Sequence, residues 1–285
     1  MSLQDKTLFI TGASRGIGLA IALRAARDGA NVVVAAKTAA PHPKLPGTIF
    51  SAAEQIEQAG GRALPVVVDV RDEASVRAAL DATVERFGGV DICVNNASAI
   101  SLTGTLETEM KRYDLMHQVN GRGAFLVSRL CIPYLRKSAN PHVLTLSPPL
   151  DLRPQWFAAH AAYTASKYVM SLYMLAMAAE FRHDGIACNS LWPRTTIATS
   201  AVKFVVGNDD TMTRSRKPAI MADAAHAICS RPARSCTGRF FLDDEVLWEE
   251  GVRDFSAYAC DPSAELAVDL FVDPMAPAPP GVRVV

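Results

Sequence analysis

Over its first two thirds, the chain alternates short, β-branched apolar runs with longer segments of helical periodicity. A strand that is apolar at every residue must be buried on both faces, as in a parallel sheet with helices on each side. Gly29, Gly60 and Gly88 each follow a helical segment and precede an apolar run, where a glycine helix stop is expected. The sequence therefore predicts an α/β fold, a doubly wound Rossmann-type parallel sheet of about seven strands with helices on both faces. The predicted strands are residues 7–11, 32–36, 64–68, 91–95, 142–146, 186–191 and 239–243.

The regular pattern loosens after residue 191. Residues 193–217 are polar and threonine-rich and are too long for an ordinary connection, so we expect a substrate lid there. Residues 262–285 include a proline- and alanine-rich stretch and are expected to form an extended C-terminal tail. The hydrophobic content of 49% is enough for a sizeable core, and residues 1–285 are predicted to form a single domain.

Composition restricts the partners and the location. The 29 basic and 29 acidic residues leave no net charge, so neither a nucleic acid nor a membrane surface is an expected partner. No apolar run reaches the length of a membrane span, and the polar start of the chain does not resemble a signal segment. The six scattered cysteines form no Cys-x-x-Cys pair, so we expect no metal site and a reducing compartment. A cytoplasmic protein is the prediction.

A glycine-rich turn, Thr-Gly-Ala-Ser-Arg-Gly-Ile-Gly at residues 11–18, stands where the first predicted strand meets the first helix. Glycines there let the backbone approach a pyrophosphate, while free N–H groups at the helix start face the anion. The spacing differs from the usual dinucleotide fingerprint, Gly-x-Gly-x-x-Gly, and a plain tight turn is the alternative. The residues expected to contact a dinucleotide are Gly12, Ser14, Arg15, Gly16, Ile17 and Gly18.

The end of the second predicted strand indicates which dinucleotide is bound. An acidic residue at this place accepts from the ribose 2′-hydroxyl of NAD, but the strand here runs into Lys37. Lys37 can instead pair with a 2′-phosphate, and Arg15 can reach the same corner. The alternative is that both are solvated loop cations. NADP is predicted, with NAD as the less favoured cofactor.

Tyr163 and Lys167 supply a candidate acid and base. Residues four apart share one face of a helix, so the Lys167 ammonium can lie near the Tyr163 hydroxyl and favour the phenolate. A tyrosine with an ordinary pKa is a poor acid or base at neutral pH and needs such tuning. The same spacing also occurs on amphipathic helices where the tyrosine only packs and the lysine is solvated.

These motifs follow one another in a recognisable order: the glycine turn, Asn-Asn-Ala-Ser at residues 95–98, Ser147, and the Tyr163 to Lys167 stretch. In this order the chain resembles the short-chain dehydrogenase/reductase family over about residues 5–245. Further stretches are similar to a subgroup that carries a lipid-binding domain after its dehydrogenase domain, for which we expect no residues here. They include residues 35–38, 41–45, 147–150 and 249–252.

The resemblance implies roles around the cofactor. Asp69 would accept a hydrogen bond from the adenine amino group, although it also suits the N-terminal cap of the next helix. The backbone at Asn95 and Ala97 would seat a ribose, or would only form a turn. The remaining cofactor contacts that the resemblance implies are Val70, Pro193, Thr195 and Ile197, besides Tyr163 and Lys167.

The resemblance also implies a ketone reduction, with alcohol oxidation as its reverse. Hydride would leave the nicotinamide for the carbonyl carbon while Tyr163 protonates the oxygen, and Lys167 would lower the Tyr163 pKa and bind the nicotinamide ribose. Ser147 would hydrogen-bond the carbonyl oxygen, and Asn120 would hold a water that links Lys167 to solvent. Without the resemblance, Ser147 is an ordinary strand-end serine and Asn120 a packing residue.

Two departures from the family pattern concern the substrate. Ser147 precedes Tyr163 by 16 positions (163 − 147), a longer gap than is usual, and the intervening loop is rich in proline. Arg194 stands where the family usually has a glycine after Pro193. We expect altered specificity with the chemistry retained.

The leading hypothesis is an NADP-dependent oxidoreductase that acts on a carbonyl or secondary alcohol of a lipid-like or other small apolar molecule. An alternative of the same fold is a 3-oxoacyl-thioester reductase or hydroxyacyl dehydrogenase. An alternative of another class is a catalytically idle NADP-binding sensor or scaffold. The intact set of Asn120, Ser147, Tyr163 and Lys167 argues against the last.

Two further expectations concern anions and assembly. Basic residues in the lid could attract an anionic substrate such as an acyl-coenzyme A thioester, or could form a solvated face. The predicted helices at residues 113–135 and 163–182 could form the interface of a homodimer or homotetramer, as the resemblance implies, or could be fully used in covering the sheet. The basic lid residues are Lys203, Arg214, Arg216 and Lys217.

Overall fold

The computed structural model describes residues 2–43, 45–282 and 284. Lys44, in one of the stretches that carry the resemblance, lies outside them, as do residues 283 and 285 of the predicted tail. Within the described residues, a seven-stranded parallel sheet has the order β3-β2-β1-β4-β5-β6-β7, which confirms the predicted fold class. The strands are β1 (Thr7–Thr11), β2 (Asn31–Ala36), β3 (Arg62–Val67), β4 (Ile92–Asn95), β5 (His142–Thr145), β6 (Ala187–Trp192) and β7 (Phe240–Leu242).

Helices cover both faces of the sheet, as the apolar runs predict. Successive side chains of a strand point to opposite faces, so Ile10 packs with Ile21 in one apolar cluster and Phe9 packs with Leu80 in the other. The helices are α1 (Gly16–Ala26), α2 (Ile49–Gln58), α3 (Glu73–Phe87), α4 (Met110–Met116), α5 (Gly123–Leu135), α6 (Gln155–Ala158), α7 (Ala161–Glu180), α8 (Asp209–Thr213), α9 (Ala219–Ser230) and α10 (Asp243–Glu249).

The strand order creates a crevice at one edge of the sheet. β1 pairs with β2 on one side and with β4 on the other, so that Phe9 lies between Val33 and Cys93. From β1, the next two strands extend the sheet on one side, and β4 to β7 then extend it on the other side. Where the order reverses, the loops at the carboxyl ends of the strands diverge and leave room for a ligand.

One predicted helix is interrupted. The segment expected at 113–135 consists of α4, a π-helical turn at His117–Arg122, and α5. A π-helical turn inserts an extra residue per turn and often lies at a functional site. Asn120 lies in this turn and is fully buried. Among the described helices, none has both the length and the apolarity needed to cross a membrane.

The segment predicted as a lid and the C-terminal segment are joined by backbone hydrogen bonds. Thr195 forms an antiparallel bridge with Val268, and the Ala267 N–H donates to the Arg214 carbonyl at 2.9 Å. Phe271 is buried and has a left-handed φ of 69°, which is uncommon for a residue with a large side chain. The C-terminal segment therefore returns to the carboxyl edge of the sheet and packs there.

A buried cluster of charges anchors the start of the lid segment. Both Arg194 and Arg216 are buried and pair with the buried Asp244 carboxylate, at 2.9 Å and 3.1 Å. The hypothesis that Arg216 attracts a substrate anion is therefore wrong, because its guanidinium is enclosed and already neutralised. Arg214 donates from Nε to the Glu265 carbonyl at 3.0 Å, so it too has a partner within the fold.

Replacing Asp244 tests this cluster. Asp244→Asn removes the carboxylate that both buried guanidinium groups share and leaves Arg194 with only the partly exposed Glu245, at 2.7 Å. Removing one partner of a buried ion pair costs about 3 kcal/mol or more. We expect a free energy of unfolding lower by that amount in urea titrations. The matched control is Asp210→Asn, which removes an exposed carboxylate 4.0 Å from Arg214 and should change stability by less than about 1 kcal/mol. Equal effects of the two substitutions would contradict the assignment.

Candidate active site

A cavity of about 560 Å³ opens at the carboxyl edge of the sheet, where the strand order reverses. Its wall combines the glycine turn after β1, the loops after β2, β3 and β4, one face of α7, and the segment after β6. A volume of this size is typical of a site for a small molecule or cofactor. The site residues predicted from the sequence that line it are Gly12, Ser14, Arg15, Gly16, Ile17, Lys37, Asp69, Val70, Ala97, Tyr163, Lys167, Pro193 and Ile197.

The glycine turn is held against the loop after β4. The Asn96 side-chain amide donates to the Thr11 carbonyl at 2.8 Å, and the Thr11 hydroxyl accepts from the backbone N–H groups of Asn96 and Ala97, both at 3.0 Å. Gly12 has a left-handed φ of 68°. A Cβ on Gly18 would lie 2.5 Å from the Asn96 amide nitrogen, so Gly18 serves this packing and does not itself line the cavity.

Charged side chains gather at the end of the cavity formed by the loops after β2 and β3. Lys37 Nζ lies 3.2 Å from the Asp69 carboxylate, which also pairs with Arg71 at 2.7 Å. The hydrogen bond from Arg71 is the main reason that the pKa of Asp69 lies well below its usual range. The Arg15 guanidinium donates to the Gly47 carbonyl at 3.1 Å. This end of the cavity therefore carries more positive than negative charge.

These residues fit a dinucleotide. Gly12 and Gly16 of the turn line the cavity, the start of α1 offers free backbone N–H groups, and cations stand at the far end. Two other predicted cofactor residues are buried away from the cavity. The Asn95 amide donates to the Ser128 hydroxyl at 2.8 Å, and the fully buried Thr195 hydroxyl has no hydrogen-bond partner within the described residues.

Tyr163 and Lys167 lie side by side on the cavity wall, on the first turns of α7. Within the described part of the chain, the Tyr163 hydroxyl has no hydrogen-bond partner, so it remains available to a ligand. Lys167 Nζ donates to the Leu146 carbonyl at 2.6 Å and lies 5.0 Å from the Trp192 ring centroid. The helical spacing thus brings both groups to one site.

The electrostatics of this pair differ from the expectation. Burial raises the pKa of Tyr163, and the nearby Asp269 carboxylate raises it further. Burial lowers the pKa of Lys167 to about 7, with Asp269 acting in the opposite direction. The main reason is desolvation, which disfavours the charged forms of both groups.

Asn120 and Ser147 do not line the cavity. The Asn120 amide accepts from the Ala99 N–H at 2.7 Å and donates to the Ser166 hydroxyl at 2.9 Å, next to Lys167. The Ser147 hydroxyl is fully buried and lies 3.1 Å from the Ser190 hydroxyl, which in turn donates to the Ser147 carbonyl. Asn120 thus fixes the loop after β4 against α7, while Ser147 joins the ends of β5 and β6.

Several lining residues near Tyr163 were not predicted from the sequence, and two of them, Asp269 and Leu270, come from the C-terminal segment. The others are Ile100, Leu115, Val119 and Trp192. The Trp192 indole N–H donates to the Leu270 carbonyl at 2.8 Å. The only signal in the sequence is a short apolar run at residues 266–272, interrupted by Asp269, in a segment expected to be extended.

The packing of the glycine turn yields a prediction. Gly18→Ala places a Cβ against the Asn96 amide and the Gly12 carbonyl, and such overpacking costs about 1–3 kcal/mol. We expect this loss in the free energy of unfolding, measured by chemical denaturation. Gly89→Ala is the control, since an added Cβ there meets no atom within 4 Å. A Gly18→Ala protein as stable as the control would contradict the described contact.

Comparisons with known proteins agree with this arrangement. Residues 6–208 match a family model described as short chain dehydrogenase. The chain is 59% identical over 267 residues to hydroxysteroid dehydrogenase-like protein 2 of Danio rerio, covering 94% of this chain and 64% of that protein. The human protein of the same name is 56% identical over 267 residues, with 94% and 63% covered. The chain spans less than two thirds of the length of these curated relatives.

Solved structures give the same result. A putative dehydrogenase from Xanthomonas campestris is 57% identical, with a TM-score of 0.93 over 96% of this chain and 100% of that chain. A short chain dehydrogenase from Mycobacterium thermoresistibile is 54% identical, with a TM-score of 0.92 over 100% of both chains. With its parallel sheet, its glycine turn and its adjacent tyrosine and lysine, the chain belongs to the short-chain dehydrogenase/reductase family.

Proposed function

We propose that this protein is an NADP-dependent oxidoreductase that interconverts a carbonyl and a secondary alcohol on a lipid-like or other small apolar substrate. The observation that carries the proposal is the Tyr163 hydroxyl, which has no partner among the described residues and faces the same cavity as the glycine turn and the cations Arg15 and Lys37. A proton donor and a dinucleotide cradle in one cavity support this class of reaction.

The glycine turn and the start of α1 would hold the pyrophosphate of the cofactor, and Asp69 and Val70 would contact the adenine. Lys37 and Arg15 would pair with the 2′-phosphate, which NAD lacks. Ala97, Lys167, Pro193 and Ile197 would hold the nicotinamide end. When bound, the cofactor supplies the hydride for reduction or accepts it in oxidation.

The residues of the chain supply the proton and its control. In reduction, Tyr163 would donate its hydroxyl proton to the substrate oxygen, and a raised pKa keeps the hydroxyl protonated and ready to donate. Lys167, held by the Leu146 carbonyl, would return a proton to Tyr163, because its pKa of about 7 permits exchange at neutral pH. In oxidation, the same groups would carry the proton in the reverse direction.

The wall near Tyr163 supports an apolar substrate. It is formed by Ile100, Leu115, Val119, Trp192 and Leu270. The name of the curated relatives, hydroxysteroid dehydrogenase-like protein 2, is consistent with a lipid-like substrate. A 3-oxoacyl-thioester reductase or hydroxyacyl dehydrogenase is the alternative of the same fold, although the burial of Arg216 against Asp244 removes one candidate for contacting a coenzyme A phosphate. An idle NADP-binding sensor or scaffold is the alternative that lacks chemistry.

We further propose a homodimer or homotetramer formed through α5 and α7. Phe125, Leu172, Tyr173 and Leu175 are exposed on these helices, and the rings of Phe125 and Tyr173 lie 5.0 Å apart in one apolar patch. The protein is proposed to be a single domain with residues 193–217 as its substrate lid. The six free cysteines support a location in the reducing cytoplasm.

Tyr163→Phe tests the catalytic proposal. Removing the hydroxyl deletes the proton donor, and loss of general acid catalysis lowers kcat by roughly 100-fold or more. The measurement is NADPH oxidation with a panel of apolar ketones and 3-oxoacyl thioesters, which also separates the two substrate classes. Tyr134→Phe, on α5, is the control and should be unchanged. Full activity of Tyr163→Phe with every substrate that the wild type reduces would leave the protein without this mechanism.

Lys37→Ala tests the choice of cofactor. Loss of the cation that faces the 2′-phosphate should raise KM for NADPH roughly tenfold or more, since a charge-assisted hydrogen bond is worth about 1.5–3 kcal/mol, and should leave KM for NADH nearly unchanged. The wild-type preference for NADPH should weaken with added salt. Lys111→Ala, on the exposed surface of α4, is the control. A parallel rise of KM for both cofactors would argue against phosphate recognition by Lys37.

A further inference from the structure

Asp269 comes from the C-terminal segment, yet it lines the cavity beside the proposed proton donor. Its backbone N–H donates to the Arg194 carbonyl at 3.0 Å, and the preceding Val268 forms its bridge with Thr195. The carbonyl of the following residue, Leu270, accepts from the Trp192 indole at 2.8 Å. Contacts on both sides therefore fix the backbone that carries this carboxyl group.

The carboxyl group has one oxygen left for a ligand. Oδ1 accepts from the Leu270 N–H at 2.6 Å, whereas Oδ2 has no hydrogen-bond partner within the described residues. The Asp269 side chain is close enough to Tyr163 and Lys167 for its charge to raise the pKa of each. The buried Phe271 packs near the Tyr163 ring, with centroids 6.1 Å apart.

The same end of the cavity lacks the serine donor that the sequence predicts. The Ser147 hydroxyl is directed at Ser190 inside the fold, and the next residue, Pro148, has no donor to offer. When a carbonyl carbon accepts hydride, negative charge develops on its oxygen, and fixed hydrogen-bond donors stabilise that charge. Tyr163 supplies one such donor, and Asp269 lines the same cavity with an Oδ2 that has no partner among the described residues.

We propose that Asp269, in its acid form, is a catalytic residue that donates a hydrogen bond to the substrate oxygen that Tyr163 protonates. This inference rests on the proposed function. Only the protonated carboxyl can act in this way, because an ionised carboxylate would repel the charge that develops on the oxygen. No bond is made or broken at Asp269, and its proton remains on Oδ2 throughout.

The surroundings of Asp269 favour its acid form. Burial and the nearby Asp243 raise the pKa of Asp269 to about 7, while the Leu270 N–H and the charge of Lys167 act in the opposite direction. The groups that face it are Tyr163 and Lys167 from α7, Asp243 from the start of α10, and the Arg194 backbone. A carboxyl held protonated by an enclosed site can serve as a hydrogen-bond donor near neutral pH.

Two substitutions separate the donor from the shape of the side chain. Asp269→Ala removes the donor and should lower kcat/KM for ketone reduction with NADPH roughly 100-fold. Asp269→Asn keeps an N–H donor and an acceptor for the Leu270 N–H, and should retain most of the activity. Asp273→Asn is the matched control in the same segment, where the carboxylate pairs with Arg153 at the surface, 2.7 Å away. The affinity for NADPH, measured by fluorescence titration, should be unchanged in all three.

The pH dependence supplies a second readout. In the wild type, kcat/KM for reduction should fall as the pH rises through about 7, where the Asp269 carboxyl loses its proton. Asp269→Asn cannot ionise, so this fall should disappear or move to higher pH. Burial also brings the pKa values of Lys167 and Asp243 to about 7, and a fall that persists unchanged in Asp269→Asn would belong to one of these groups and overturn the inference.

Other outcomes are equally decisive. Wild-type activity of Asp269→Ala, or an Asp269→Asn protein as impaired as Asp269→Ala, would overturn the donor role. A loss of activity matched by a loss of NADPH affinity would assign Asp269 to cofactor binding and also overturn it. Tyr163→Phe is measured alongside: if it alone is inactive, only the role of Asp269 fails, whereas a fully active Tyr163→Phe means that the proposed function itself fails.

Discussion

The hydrogen bonds that join Thr11 to Asn96 and Ala97 hold the site together. They connect the turn after β1 to the loop after β4, the two strands between which the order of the sheet reverses. Without this connection, the two loops that diverge at the crevice would be free to move independently. The absence of a Cβ at Gly18 makes the close approach feasible, so one glycine serves the geometry of the whole cavity.

Desolvation governs the reactive end of this cavity. It raises the pKa values of Tyr163 and Asp269 and lowers that of Lys167, so each group is moved towards its neutral form. Lys167 and Asp269 both reach pKa values of about 7, from opposite directions. A site with such groups exchanges protons readily near neutral pH, because neither protonation state is strongly favoured. The contacts of Phe271 and Trp192 maintain this enclosure.

The fold and the cofactor end of the cavity could be predicted from the sequence because their signals are local. The periodicity of the strands and helices predicts the parallel sheet. Short motifs whose geometry follows from the local backbone contain Gly12, Gly16, Tyr163 and Lys167. The orientation of Ser147 could not be predicted, because it depends on Ser190 on the neighbouring strand. The ion pair of Arg194 with Asp244 joins residues 50 positions apart. The position of Asp269 in the site likewise depends on the bridge between Thr195 and Val268, which are also distant in the sequence.

The left-handed backbone of Phe271 fixes one point of the C-terminal segment beside the cavity. A large residue in this conformation costs about 1 kcal/mol or more and persists only where its surroundings fix it. Here the fixing contacts are rings from α7 and β6, whereas the residues flanking Phe271 belong to a segment without regular secondary structure. Insertions or replacements next to this anchor can reshape the wall that faces the substrate while the sheet and the cofactor cradle stay unaltered. The proposed substrate wall and the glycine turn therefore lie in different parts of the chain, and one can change in sequence without the other.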